Sequence, residues 1–126
     1  FSNKVFNFKT NLIELLDKLK SHGSTIVGYG ASGRANTILQ FCDLDGSYLD
    51  YIIDDSPPKQ GFFTPGSHIE IVDKSILDTK EFDYILLFAW AFLDEIASKN
   101  KKFLENGGKI IVPFPELKII SIEDLK

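Results

Sequence analysis

The sequence predicts an α/β domain: an open, mostly parallel sheet of about five strands with helices on both faces. Three observations carry that expectation. Strand-like runs at 26–27, 48–53, 68–72, 84–89 and 109–112 alternate with helix-compatible segments. The run at 84–89 is continuously apolar, as a strand buried on both faces of a parallel sheet must be. Residues 25–36 pass from an apolar run through a turn into a helical segment, with glycines at 28, 30 and 33.

Composition narrows the class. With 126 residues, 44% of them hydrophobic and 25% charged, the chain has material for one core and an ordinary globular surface. The net charge of −4 argues against a nucleic-acid surface, so an anionic ligand must be held locally, by backbone and one or two cations. Cys42 is the only cysteine and lies among Ile38, Leu39 and Phe41, which points to a buried apolar role rather than a nucleophile. No disulfide framework or metal cluster is expected. The longest apolar run, 84–93, is too short to span a bilayer, and no basic-then-apolar signal segment is seen, so a cytoplasmic location is expected. The chain has no methionine and begins at Phe1, which leads to the expectation of one domain from a longer chain. The expected division is a lead-in helix (1–23), a core (24–115) and a tail (116–126).

The elements follow in order. Val5, Phe8, Leu12, Leu15, Leu16 and Leu19 stand at helical spacing, with Asn11 and Glu14 offering a capping-box-like start and Gly23 a stop. After the glycine turn, 34–41 reads as a helix ending near 43–46. The run 48–53 reads as the second strand and ends in Asp54-Asp55. The segment 56–67 carries Pro57-Pro58, Gly61 and Pro65-Gly66 around Phe62 and Phe63, the composition of a shaped binding loop or of a plain surface loop. His68 to Val72 alternates as a short strand, and 75–79 as a helical turn. One helix is expected over 93–105, with Ile96, Phe103 and Leu104 inward and Lys99, Lys101 and Lys102 on its solvated face. Gly107-Gly108 ends it, and 109–112 is the last strand before Pro113 and Pro115. In the tail, Ile119, Ile120 and Ile122 suit a short extra strand or a docked segment.

In such a sheet the ligand crevice lies outside the carboxyl ends of the strands. The glycine turn, Asp54-Asp55, Trp90 and Pro113 all come to that edge. Gly28, Gly30 and Gly33 allow close approach of backbone to a ligand, and the N–H groups of 29–33 would face an anion. The candidate binding residues are Tyr29, Gly30, Ala31, Ser32 and Gly33 in the turn, with Asn36 as an amide on the first helical turn. Asp54 and Asp55 are suited either to a ribose hydroxyl or to opening the turn before Pro57. Lys59 is expected as a mobile cation with Gln60 beside it, His68 as a loop-edge hydrogen-bonding residue, and Trp90 as either cleft wall or core aromatic. No nucleophile–base pair, tuned carboxylate pair or metal set is seen.

Taken together, Tyr29-Gly30-Ala31-Ser32 with Asn36-Thr37, Asp54-Asp55-Ser56-Pro57, Lys59-Gln60-Gly61, Thr64-Pro65-Gly66 with His68-Ile69, Ala89-Trp90 with Asp94-Glu95-Ile96, and Gly107-Gly108 with Val112-Pro113 resemble one family. It is the C-terminal, Rossmann-like domain of SAM-dependent sugar C-methyltransferases, which methylate a carbon of a nucleotide-linked deoxysugar. The resemblance runs from about Thr25 to Pro115. Ala35 stands where members commonly have glycine. The resemblance implies a zinc-binding N-terminal domain and a central SAM-binding catalytic domain upstream. It places S-adenosylmethionine and the general base there, leaves no cofactor in this domain, and gives this domain a share of the sugar-nucleotide cleft. On that view the chain by itself is catalytically inert. Two other readings compete. One is a nucleotide- or NAD-binding Rossmann module, resembling N-terminal domains of sugar-nucleotide acyltransferases and dehydratases. The other is a free-standing NAD-dependent oxidoreductase or redox sensor, for which 126 residues leave no room for a catalytic domain.

Overall fold

A computed structural model of the chain describes residues 3–125, with side chains from residue 7 onward. Six strands form one sheet in the order β3-β2-β1-β4-β5-β6. The strands are β1 (Ile26–Tyr29), β2 (Ile52–Ile53), β3 (Ile71–Val72), β4 (Tyr84–Leu87), β5 (Lys109–Val112) and β6 (Lys118–Ile120). β1 to β5 are parallel, and β6 runs antiparallel to β5, with Ile111 opposite Ile119. The tail thus supplies the sixth strand, followed by a 3₁₀ turn at Ile122–Leu125.

Side-chain alternation along each strand divides the core into two layers. Ile26, Ile52, Leu86, Phe88 and Ile111 face one way, where they meet α1 (Asn3–Ser21) and α2 (Gly33–Phe41) through Leu12, Leu16, Ala35, Ile38 and Leu39. Val27, Tyr29, Ile53, Ile85, Leu87, Ile110 and Val112 face the other way. There they meet α3 (Ile76–Thr79), α4 (Leu93–Lys99) and α5 (Lys101–Glu105) through Ile76, Leu77, Ile96, Ala97 and Leu104. Cys42 is buried in the first layer.

Four expectations are corrected. α1 runs through Asn11 without starting there, because the apolar stripe Phe8, Leu12 and Leu16 continues across it; Val5's side chain lies outside the described residues. β2 is shorter than 48–53, since the Asp45 carbonyl accepts the N–H groups of Tyr48 and Leu49 and holds them in a turn. β3 begins only at Ile71: residues 64–68 turn back through Gly66 and His68, both at positive φ. The helix expected over 93–105 breaks at Asn100. Its buried side chain donates to the Ile96 carbonyl at 2.8 Å, and its φ of −118° leaves the helical region.

Among the described residues, no helix is long and apolar enough to cross a membrane.

Candidate functional site at the carboxyl edge of the sheet

The order of strands reverses between β1 and β4, so the crevice predicted by topology opens at their carboxyl ends. The glycine turn leaves β1 at this point. Its glycines have different roles from those the spacing implies. Gly28 is inside β1, paired in register with Ile52 and Leu86. The Phe88 ring and the Ile52 side chain fill the space its Cβ would take, at 3.0 and 3.1 Å. Gly30 makes the turn, at φ +101°, with a Cβ position only 3.1 Å from Ala89 Cβ. Gly33 opens α2 with no neighbour within 4 Å of its Cβ position. Close packing of α2 on the sheet falls instead on Ala35, which is fully buried.

The anion-facing turn carries an anion of its own. Asp54 follows β2, and its Oδ2 accepts the Ala31 N–H at 2.8 Å while its Oδ1 accepts the Ser56 N–H at 2.8 Å. These are the bonds that the turn reading of Asp54 calls for. Lys59, expected as mobile, is tethered: Nζ donates to the Ala31 carbonyl at 3.0 Å and lies 3.9 Å from Asp54 Oδ2. Gln60 donates to the Asp54 carbonyl at 2.9 Å. Ser32 caps α2, its hydroxyl accepting the Ala35 N–H at 3.2 Å. Asn36 sits in that first turn, and its buried Oδ1 accepts no hydrogen bond among the described residues.

On the α4 side a shallow depression of about 270 Å³ is lined by Tyr29, Gly30, Asp54, Asp55, Phe92 and Lys99, among others. Tyr29 hydroxyl donates to the Asp55 carboxylate at 3.2 and 3.3 Å. Burial pushes this phenol up to about 12, Asn100's hydrogen bond acts in the opposite direction, and the Asp55 charge raises it further. Lys99 Nζ lies 3.8 Å from Asp55 Oδ2 and 3.3 Å from Glu95 Oε1. Lys99, assigned to a solvated face by sequence, therefore lies at this edge; its spacing to Glu95 announces the pair within the helix but not the contact with Asp55.

Trp90 is part wall and part core. It opens a 3₁₀ turn (Trp90–Phe92) directly after β4 and packs against both core layers. The Arg34 guanidinium lies 4.9 Å from its ring centroid, and Phe114 stacks at a tilt, 5.1 Å away. Phe92 and Phe114 are 58% and 47% exposed, so this edge shows an aromatic surface to solvent. His68 is not brought here. It precedes β3 and lies where the parallel strands begin, stacked on Phe63 at 4.7 Å beside Asp50 and Lys80.

Chemically the edge offers hydrogen-bond acceptors, tethered cations and exposed aromatic rings. Among the described residues no three His, Cys, Asp or Glu side chains converge to hold a metal ion.

Comparison with known proteins agrees with this picture. Residues 1–115 match the model of the C-methyltransferase C-terminal domain. The chain belongs to that family. It is 37% identical over 115 residues to the C-methyltransferase NovU of Streptomyces niveus, covering 91% of this chain and 27% of NovU. The chain thus spans about a quarter of the length of the curated relative it matches. Among solved structures, UDP-D-quinovosamine 4-dehydrogenase from Vibrio fischeri superposes with a TM-score of 0.54 at 17% identity, over 81% of this chain and 97% of that one. That likeness is one of fold. It bears out the Rossmann-like architecture read from the strand alternation and the glycine turn.

Proposed function

We propose that this C-methyltransferase C-terminal domain forms one wall of a nucleotide-sugar cleft in a SAM-dependent enzyme that methylates a sugar carbon. S-adenosylmethionine and the general base would be supplied by an upstream domain of the same chain. Family membership supports the reaction class. The observation that carries the role of this domain is the Asp54 carboxylate seated on the Ala31 N–H. In a dinucleotide-binding turn those N–H groups meet the pyrophosphate, and the acidic residue after the second strand meets a ribose. Here one partner has been spent on the other. The Ala31 N–H is taken by Asp54, which argues against the NAD-binding reading, and what remains for a ligand is the rest of the helix N-terminus and the surface around it.

That surface comprises the shallow Asp55–Phe92–Lys99 depression and the Arg34–Trp90–Phe114 stack. It is open on one side, as half of a shared cleft would be. Tyr29, Gly30, Ala31, Ser32, Gly33, Asn36, Asp54, Asp55, Lys59, Gln60 and Trp90 are proposed to border it, most of them by shaping the turn. Among the described residues, Asn36 Oδ1 is the buried side-chain polar atom that still lacks a partner. His68 stands at the other edge and is left outside the cleft.

Calorimetric titration with NAD, S-adenosylmethionine and a thymidine-diphosphate sugar tests the reading. Weak binding of the sugar nucleotide, and none of the other two, is expected. Tight NAD binding would refute it.

A further inference from the structure

Among the cations of the carboxyl edge, Arg34 stands apart. Lys59 and Lys99 each lie within 4 Å of a carboxylate. Arg34 makes no ion pair among the described residues, and the first turn of α2 contains no acidic side chain. Its charge does not serve α2 either, because a cation in the first turn opposes the helix dipole. Yet its head group is held. The guanidinium rests on the Trp90 ring at 4.9 Å, and Trp90 is fixed from below by both core layers and from the side by Phe114.

An exposed arginine stacked on a rigid indole keeps its donors directed outward and has less conformational freedom to lose when a ligand arrives. Its planar fork matches two oxygens of a phosphate. A net charge of −4 makes an unneutralised cation at this edge the more consequential for an anionic ligand.

We propose that Arg34 is the residue that contacts the diphosphate of the substrate, with Trp90 as its pedestal. The proposal rests on the nucleotide-sugar reading above and adds an orientation. The diphosphate lies on the α2 side of the crevice. The sugar is directed toward the α4 side, where Asp55, Glu95 and Lys99 offer acceptors and donors for hydroxyl groups and Phe92 an apolar face.

Trp90 is the only tryptophan, so its fluorescence reports directly on the Arg34 head group. The test titrates the chain with thymidine diphosphate, inorganic pyrophosphate, thymidine and NAD, read by Trp90 emission and by the Arg34 Nε–H resonance. Both diphosphates should move both signals and thymidine neither. Arg34→Gln, a change at an exposed position, should weaken diphosphate binding about tenfold, and Arg34→Lys should fall between the two. The proposal is overturned if Arg34→Gln titrates like the unaltered chain. It is equally overturned if neither diphosphate moves the Trp90 emission and the Arg34 Nε–H resonance. In those cases the cleft reading stands or falls on the sugar nucleotide. Tight NAD binding indifferent to Arg34→Gln would remove both.

Discussion

Replacing each glycine of the turn by alanine separates a ligand-binding motif from a packing device. At Gly28 the new methyl group would meet Phe88 at 3.0 Å, Ile52 at 3.1 Å and Leu49 at 3.4 Å. All three of those side chains are fully buried and have nowhere to retreat, so overpacking should cost about 1–3 kcal/mol. At Gly30 a side chain must adopt φ +101° and also lies 3.3 Å from the Ala89 backbone nitrogen, so strain of about 1–3 kcal/mol is joined by a clash that cannot rotate away. Gly33→Ala meets nothing within 4 Å at an ordinary φ, and alanine's better helix propensity should leave the chain unchanged or about 0.5 kcal/mol more stable. Urea unfolding followed by Trp90 fluorescence and far-ultraviolet circular dichroism, with the slope m unchanged, measures the series. The expected order of loss is Gly30, then Gly28, with Gly33 apart from both. A Gly33→Ala loss equal to or larger than that of Gly28→Ala would refute the account of which glycine does what.

Further outcomes follow from the same geometry. Asp54→Ala leaves the Ala31 and Ser56 N–H groups without an acceptor beneath a side chain only 13% exposed, and should cost about 2–4 kcal/mol in the same urea assay. Tyr29→Phe should cost about 0.5–1.5 kcal/mol at neutral pH through loss of the Asp55 bond. Tyr29 also has a pH signature: its phenol is raised from 10.0 to about 12, so its contribution is complete below pH 10 and is lost as pH rises through 12. Unfolding between those values should therefore be less steep in Tyr29→Phe, the remaining slope including Tyr48, whose hydrogen bond to Asp17 also raises it to about 12. Cys42, 1% exposed and with its thiol pushed up to about 11 by burial, should resist an aromatic disulfide reagent at pH 8 until the chain unfolds; rapid labelling of the native chain would contradict the packing.

Much of the architecture was legible because buried parallel strands announce themselves as apolar runs, and 84–89 and 109–112 did so. Short strands at the sheet margin did not. Tyr48 and Leu49 have strand-forming side chains, yet a hydrogen-bonded turn from Asp45 claims their backbone. The carboxyl edge was legible from the strand order, but the wiring of its side chains was not. Asp54 stands at the carboxyl edge, as its position after a strand implies. That its oxygens take the Ala31 and Ser56 N–H groups depends on a tertiary contact between the ends of β1 and β2. Lys59 is tied to the Ala31 carbonyl, and Arg34 to Trp90, across gaps that no local spacing encodes. His68 reads from sequence as a loop-edge hydrogen-bonding residue among the binding candidates, yet it precedes β3, and a residue that precedes a parallel strand stands opposite those that follow one. Lys99 was passed over because a lysine on a helix surface looks solvated until its partner on another element is known.

The segment 56–67, read from sequence as a shaped binding loop or a plain surface loop, carries a different consequence together with the residues that follow it. Ile71 receives the Gly61 N–H and donates to Phe62, and Thr64 receives the Ile69 N–H through its hydroxyl, so the chain folds back along β3 as an antiparallel flap. At the far side, β6 closes the sheet with a strand of three residues that begins at Lys118. Both margins are thereby blunted against further strand addition. Expressed alone and at high concentration, the domain should resist edge-to-edge polymerisation, and self-association should begin at the aromatic carboxyl edge instead.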